Sequence, residues 1–433
     1  MHFRGTKYKL MLIFSISVPL FFLFPILLHA AIFTVNNTAD TVDLIPGDGV
    51  CADGSGNCTL RAAIMEANAL VGGDIIDFPV GTYTLSIGGG NENASATGDL
   101  DVTDDLTING AGEADTIIDA NGIDRVLHII GAVTEISDVT LMGGNLPFGC
   151  GGGILNAGTA TLSNCTISGN SSAGEVGGIC NEGIVALTNC TINNNDSDEL
   201  SGGIWNGDTA TLTNCSISDN LSGAGDGAGI VNNGTLTLSN CTISNNDAGF
   251  GGIENVGTAT LTNCTISGND AQLEGGGIKN DGTATLTNCT ISDNAANQGG
   301  GIWNSGTVEL KNSIVANNAS GGDCFGTITS LDYNLDSDST CNLIQPNDRP
   351  NADPLLGAFT DDGDPGTGYF PLLKGSPAID SGDDNDCPPT DQLGNPRVDG
   401  DDDGFIVCDI GAIELQLQIV GAPDGGGGGS SGG

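Results

Sequence analysis

Between Gly152 and Asn304 the chain repeats one frame seven times, G-G-I-x-N followed by G-T-x-T-L-T-N-C-T-I-S-x-N. The anchoring asparagines are Asn156, Asn181, Asn206, Asn232, Asn255, Asn280 and Asn304, at intervals of 23 to 26 residues. That period is too short for paired-helix repeats and fits one turn of a β-coil. Alternation sets the phase within a turn: Ile154 points in, Leu155 out, Asn156 bends, Ala160 and Leu162 point in, Asn164 bends, and Cys165 and Ile167 point in. Like residues therefore stack in columns, leucine from Leu162 to Leu286 and isoleucine from Ile167 to Ile291. Stacked asparagines can hydrogen-bond along the axis as amide ladders. A buried ladder also accounts for the N-C-T triplets, which match the glycosylation sequon.

Composition agrees with thin stacked strands. Of 433 residues 70 are glycine and only 4% are aromatic, so the core must be small and β-branched. Acidic residues number 54 against 10 basic ones. Phosphate recognition needs clustered Lys and Arg, so nucleic acid and anionic lipid head groups are poor partners; cations and neutral or basic surfaces are better ones.

The segments outside the repeats have their own signatures. Residues 1–30 read as a signal peptide: Arg4, Lys7 and Lys9, then an apolar stretch from Leu10 to Leu28, then His29-Ala30-Ala31. The alternative is an uncleaved membrane anchor; with cleavage, the mature chain has no segment that spans a bilayer. Residues 31–80 form an N-terminal cap whose Leu60, Ala63, Ile64 and Ala67 recur at helical spacing after Thr59 as N-cap. Residues 81–320 form the solenoid. Its first part, from Asp77 to Gly144, holds short β-rich runs that read as three or four less regular rungs, giving about eleven turns and a rod on the order of 50 Å long. Residues 321–420 are loop-rich and acidic, and residues 421–433 are a Gly-rich tail.

Fourteen cysteines divide into two classes. Cys165, Cys190, Cys215, Cys241, Cys264 and Cys289 occupy one inward column, where parallel Cβ vectors a rung apart deny the disulfide dihedral, so they read as free buried thiols. Cys51 with Cys58, Cys324 with Cys341 and Cys387 with Cys408 each close a short loop where a staple helps most. Cys150 and Cys180 stay unassigned.

Three parts of the chain resemble known families. The run Cys58-Thr59-Leu60-Arg61-Ala62-Ala63-Ile64-Met65-Glu66-Ala67-Asn68 resembles the CSLREA domain of exported bacterial proteins, departing from it at Thr59 and Ala62. The rungs are similar to the right-handed parallel β-helix repeats of pectate-lyase-like folds and polymorphic outer-membrane proteins. Gly375-Ser376-Pro377-Ala378-Ile379-Asp380, Asp391-Gln392-Leu393-Gly394 and Cys408 to Glu414 resemble the choice-of-anchor Q domain, which usually precedes a surface anchor. These resemblances imply an all-β right-handed parallel β-helix with a short N-terminal capping helix, and carry no established reaction.

Two constellations carry candidate chemistry. Asp399-Gly400-Asp401-Asp402-Asp403-Gly404 has the D-x-D-x-D-G frame of a calcium loop; Ile410 at position 12 rules out an EF-hand, and Asp409 or a backbone carbonyl completes the shell. The alternative is a solvated acidic turn. The outward column of G-G-I-x-N reads Leu155, Cys180, Trp205, Val231, Glu254, Lys279, Trp303. Trp205 and Trp303 can stack on sugar rings with Glu254 and Lys279 as polar contacts; the alternative is lateral packing against turns. No catalytic residue is assigned. His128 lies in an apolar strand and reads as packed, and Glu254 lacks an outward acidic partner. The expectation is a secreted or cell-surface protein, adhesive, structural or glycan-binding, with surface glycans or extracellular polysaccharide as partners; the alternative is a polysaccharide lyase or hydrolase.

Overall fold

In the computed structural model the described residues are 30–90, 92–223, 226–400 and 404–416. The expected signal peptide, apart from Ala30, and the Gly-rich tail lie outside them. The chain winds as a parallel β-solenoid with a single helix among the described residues. One turn is Ile204–Asn206 in sheet C, Thr209–Thr213 in sheet A, Ser216–Ser218 in sheet B and the short Leu221–Ser222 in sheet D. Each strand pairs in parallel register with its counterpart a turn later, as Ile204 with Ile230, Leu212 with Leu238 and Ile217 with Ile243.

Nine full turns run from Leu100–Val102 to Ile314–Ala316, where eleven were expected. Seven are the regular repeats. The stretch before them supplies two turns instead of three or four, because the runs Leu106–Asn109 and Thr116–Asp119 are successive sides of one turn. Strands Asp74–Asp77 and Gly81–Thr84 add only two sides, and Cys324–Gly326, Thr329–Ser330 and Leu335–Asp336 add a shortened end. Nine turns at about 4.8 Å give roughly 43 Å.

The inward columns are buried as alternation requires, with Leu212, Cys215 and Ile217 all fully enclosed. The paired glycines permit close stacking: a Cβ on Gly203 would stand 2.3 Å from the Gly229 carbonyl oxygen. Three asparagine ladders follow the bends. Asn156, Asn181, Asn206, Asn232, Asn255, Asn280 and Asn304 pass buried hydrogen bonds of 2.6 to 2.8 Å between side chains. A second buried ladder runs Asn170, Asn195, Asn220, Asn246, Asn269, Asn294 and Asn318. The third contains the N-C-T asparagines in left-handed backbone, φ near 50°. It is exposed at Asn164 and Asn189 and covered only from Asn263 onward, so burial does not explain the sequon at its start.

The helix Leu60–Ala69 seals the first turns, with Leu60, Ala63, Ile64 and Ala67 in the common core. Thr59 Oγ1 accepts from the Ala62 N–H at 3.2 Å, satisfying one terminal donor. The buried Arg61 pairs with Asp40 and donates to the carbonyls of Ser95, Gly98 and Asp99. At the other end the segment after Leu335 turns back along sheet B. There Gln392 Nε2 donates to Thr242 Oγ1 at 3.0 Å and to the Gly366 and Gly368 carbonyls, while Oε1 accepts from Thr265 Oγ1 at 2.6 Å.

Four disulfides are formed, Cys51–Cys58, Cys324–Cys341, Cys387–Cys408 and Cys150–Cys180. The last joins a sheet-D turn to the outward column of sheet C. The six cysteines of the inward column are free and buried.

Candidate functional site

The parallel register of sheet C extends the outward column beyond the regular repeats. It runs Asp101, His128, Leu155, Cys180, Trp205, Val231, Glu254, Lys279, Trp303 and Phe325. His128 therefore faces outward, although its side chain is only 17% exposed. Leu127 and Ile129 on either side of it point in, so a side chain in an apolar strand can still face outward.

At the N-terminal end of this column Asp99, Asp101 and His128 converge, their ligand atoms all within 4.8 Å of one another. His128 Nδ1 is 3.3 Å from Asp101 Oδ1, and Arg125 Nε is 3.5 Å from Asp99 Oδ2. The cap fixes this corner: Arg61 holds the Asp99 carbonyl, Asn68 Nδ2 donates to the Asp101 carbonyl at 2.7 Å, and the Ser95 N–H donates to Asp101 Oδ2 at 3.1 Å. Burial, then the Asp101 charge, pushes the Asp99 carboxyl up to about 7, against the pull of Arg125. Asp99, Arg125 and His128 edge a cavity of about 460 Å³ that also includes Glu92, Asp124 and Phe148, the last 84% exposed at its rim. Chemically the corner offers two carboxylates, an imidazole and a guanidinium. The missed signal was the 27-residue interval from Asp101 to His128 to Leu155, one residue longer than the longest interval of the regular repeats.

The four expected sugar-contacting residues share the column but not one open surface. Glu254 and Lys279 are buried and paired, Nζ to Oε1 at 2.7 Å, with Lys279 Nζ also 3.9 Å from the Phe250 ring centroid. Trp303 is half-buried and stacks on Phe325 with centroids 6.3 Å apart. Trp205 is half-buried, two turns from Glu254. The packing of sheet-D turns over this flank encloses the middle of the column.

Of the expected calcium ligands, Asp401 and Asp403 lie outside the described residues. Asp399 Oδ2 accepts from the Gly404 N–H at 2.8 Å. Asp409 is buried; Oδ1 accepts from the Asp380 N–H and Oδ2 from the Leu415 N–H, both at 2.7 Å.

The right handed beta helix region family matches residues 226–337. The fold is a right-handed parallel β-helix of the pectin-lyase-like class. Among solved structures, pectate lyase Pel9A is similar at 14% identity and a TM-score of 0.54, covering 89% of this chain and 96% of its own. A Geobacillus virus E2 protein, ORF18, is similar at 14% identity and a TM-score of 0.42, covering 71% and 60%. The A-module of mannuronan C-5 epimerase AlgE6 from Azotobacter vinelandii is similar at 15% identity and a TM-score of 0.32, covering 64% and 85%. Comparison with curated protein sequences returned no match. At 14% identity the likeness to the pectate lyase is one of fold.

Proposed function

We propose that this is an exported β-helix protein that binds polysaccharide at the cell surface or outside the cell, acting as an adhesive or structural rod. The observation that carries the reading is the cavity of about 460 Å³, where Glu92, Asp124, Arg125 and His128 line a hollow beside the exposed Phe148. A concave site with an apolar ring at its rim and several hydrogen-bonding groups matches what a sugar presents, a hydrophobic face edged by hydroxyls. The half-buried rings of Trp205 and Trp303 extend the same flank as secondary contacts, with Glu254 and Lys279 acting through packing.

Export rests on the charged and apolar pattern of residues 1–30 and on the four disulfides, which persist in oxidising compartments. The CSLREA-like cap and choice-of-anchor Q-like segment agree with a surface protein. Calcium binding by Asp399, Asp401 and Asp403 belongs to the same proposal; Asp409, buried with both carboxylate oxygens accepting backbone N–H groups, is left out of it. Millimolar calcium, but not magnesium, is expected to raise the thermal midpoint, and Asp401→Asn with Asp403→Asn to abolish the rise.

The second reading, a lyase or hydrolase, is favoured by one observation, the Asp99 carboxyl at about 7 beside Asp101. A carboxylic acid poised near neutrality can donate a proton to a leaving group. Both readings are tested on a panel of neutral and uronate polysaccharides by affinity electrophoresis and by reducing-sugar and unsaturated-uronate release. Retardation without product, lost in Arg125→Ala, is the expected result. Product formation lost in Asp99→Asn would establish the enzyme, and neither retardation nor product would end both readings.

A further inference from the structure

We infer that Asp99, Asp101 and His128 form a binding site for a zinc-like divalent ion at the capped end of the solenoid. Asp101 is fully enclosed, yet its Oδ1 forms no hydrogen bond. The neighbouring Ser95 N–H is committed to Oδ2, leaving Oδ1 aimed at His128. The 3.3 Å between that oxygen and His128 Nδ1 lacks hydrogen-bond geometry. It does match the edge of a tetrahedron around an ion with bonds of about 2.0–2.1 Å, which is roughly 3.3–3.4 Å. A buried acceptor left without a donor is costly, and a shared cation resolves that cost.

The donor set chooses the ion. Calcium and magnesium take oxygen ligands, whereas an imidazole nitrogen beside two carboxylates suits zinc among the common divalent ions. Asp99 completes the set by side-chain rotation, since its ligand atom already lies within 4.8 Å of the other two. Arg125 stands behind Asp99 at 3.5 Å as an outer partner, the place where hydrogen-bonding groups orient ligands. The cavity beyond supplies room for a water or ligand oxygen as fourth ligand. Binding takes the imidazole at Nδ1. An ion here also occupies Asp99 and removes it as a proton donor. The site stands independently of the polysaccharide reading, because zinc binding is measured without any sugar.

The test uses the chelator-treated full chain, titrated calorimetrically with zinc chloride and, separately, with calcium chloride, with cobalt(II) as an optical probe. One saturable zinc site per chain is expected, unaffected by equimolar calcium. Cobalt should show the visible bands of a low-coordinate nitrogen and oxygen site. His128→Ala, at an outward position, and Asp101→Asn should each weaken zinc by at least tenfold with an unchanged β circular dichroism spectrum. Absence of a stoichiometric zinc site in the wild type, or wild-type affinity in His128→Ala, overturns the assignment. If a variant fails to fold, the wild-type cobalt spectrum decides: a weak six-coordinate aquo-like spectrum rejects the site.

Discussion

Lys279 Nζ lies 2.7 Å from Glu254 Oε1, one turn away in the outward column of sheet C, and 3.0 Å from Asp281 Oδ2. Burial raises the Glu254 carboxyl above its ordinary value even though Lys279 pulls it down. Burial works to lower Lys279, but the hydrogen bonds to Glu254 and Asp281 outweigh it and hold the ammonium up. The asymmetry has a cause: the ammonium has two carboxylates and the Phe250 ring, whereas Glu254 Oε2 has no hydrogen bond.

Removing one member of this pair strands the other. Lys279→Met is expected to destabilise the fold by about 3–5 kcal/mol, and adding Glu254→Leu should recover most of the loss. Chemical denaturation of wild type and the two variants measures both. A single variant as stable as wild type would mean that solvent screens the pair.

The thiol column makes a second expectation. Burial pushes the Cys241 and Cys264 thiols well up, which suppresses the reactive thiolate. In the native protein Cys165, Cys190, Cys215, Cys241, Cys264 and Cys289 should resist alkylation. After denaturation without reductant six thiols should label, counted by mass spectrometry. Labelling of none would show that the column is oxidised.

The columns were legible because a repeat writes each inward residue many times: Leu212, Cys215 and Ile217 could be placed without coordinates. The turn count was less legible, since a run such as Leu106–Asn109 has the same pattern whether it is a whole rung or one side. The corner of Asp99, Asp101 and His128 was hidden for a related reason. Its residues belong to the irregular turns, and only register with Leu155 reveals that they share a face. Nor could the sequence show that sheet-D turns enclose Glu254 and Lys279. That depends on turns of unequal length packing back over sheet C, which periodicity does not encode. The Cys150–Cys180 bond was hidden too, as Cys180 is an outward residue reached only from such a turn.

Gln392 is expected to hold the returning C-terminal segment on the rod. Its amide bridges Thr242 and Thr265, on successive turns of sheet B, to the Gly366 and Gly368 carbonyls. Gln392→Ala leaves several buried groups unpaired, at about 1–3 kcal/mol each. Hydrogen exchange should accelerate at least tenfold across residues 360–395 while the turns from Ile154 to Ser292 stay protected. Unchanged exchange would assign the docking to other contacts.

The pH dependence of stability should carry the signature of Asp409. Burial, then the charge of Glu414, raises its carboxyl to about 7, with Asp380 adding to the rise and backbone N–H donors of Leu415 and Asp380 opposing it. Arg397 pairs with Glu414 at 2.9 Å and partly neutralises the neighbour. In the unfolded chain the group titrates near about 3.9. Between these values the folded state keeps a proton that the unfolded state has lost, so rising pH favours unfolding. This contribution is fully present below about pH 4, falls by on the order of 4 kcal/mol up to about pH 7, and is flat above. Asp409→Asn, which does not titrate, should flatten the decline between pH 4 and pH 7 relative to wild type. Denaturant midpoints at half-unit intervals measure the difference, and parallel profiles for the two proteins would show that Asp409 is charged in the folded state throughout.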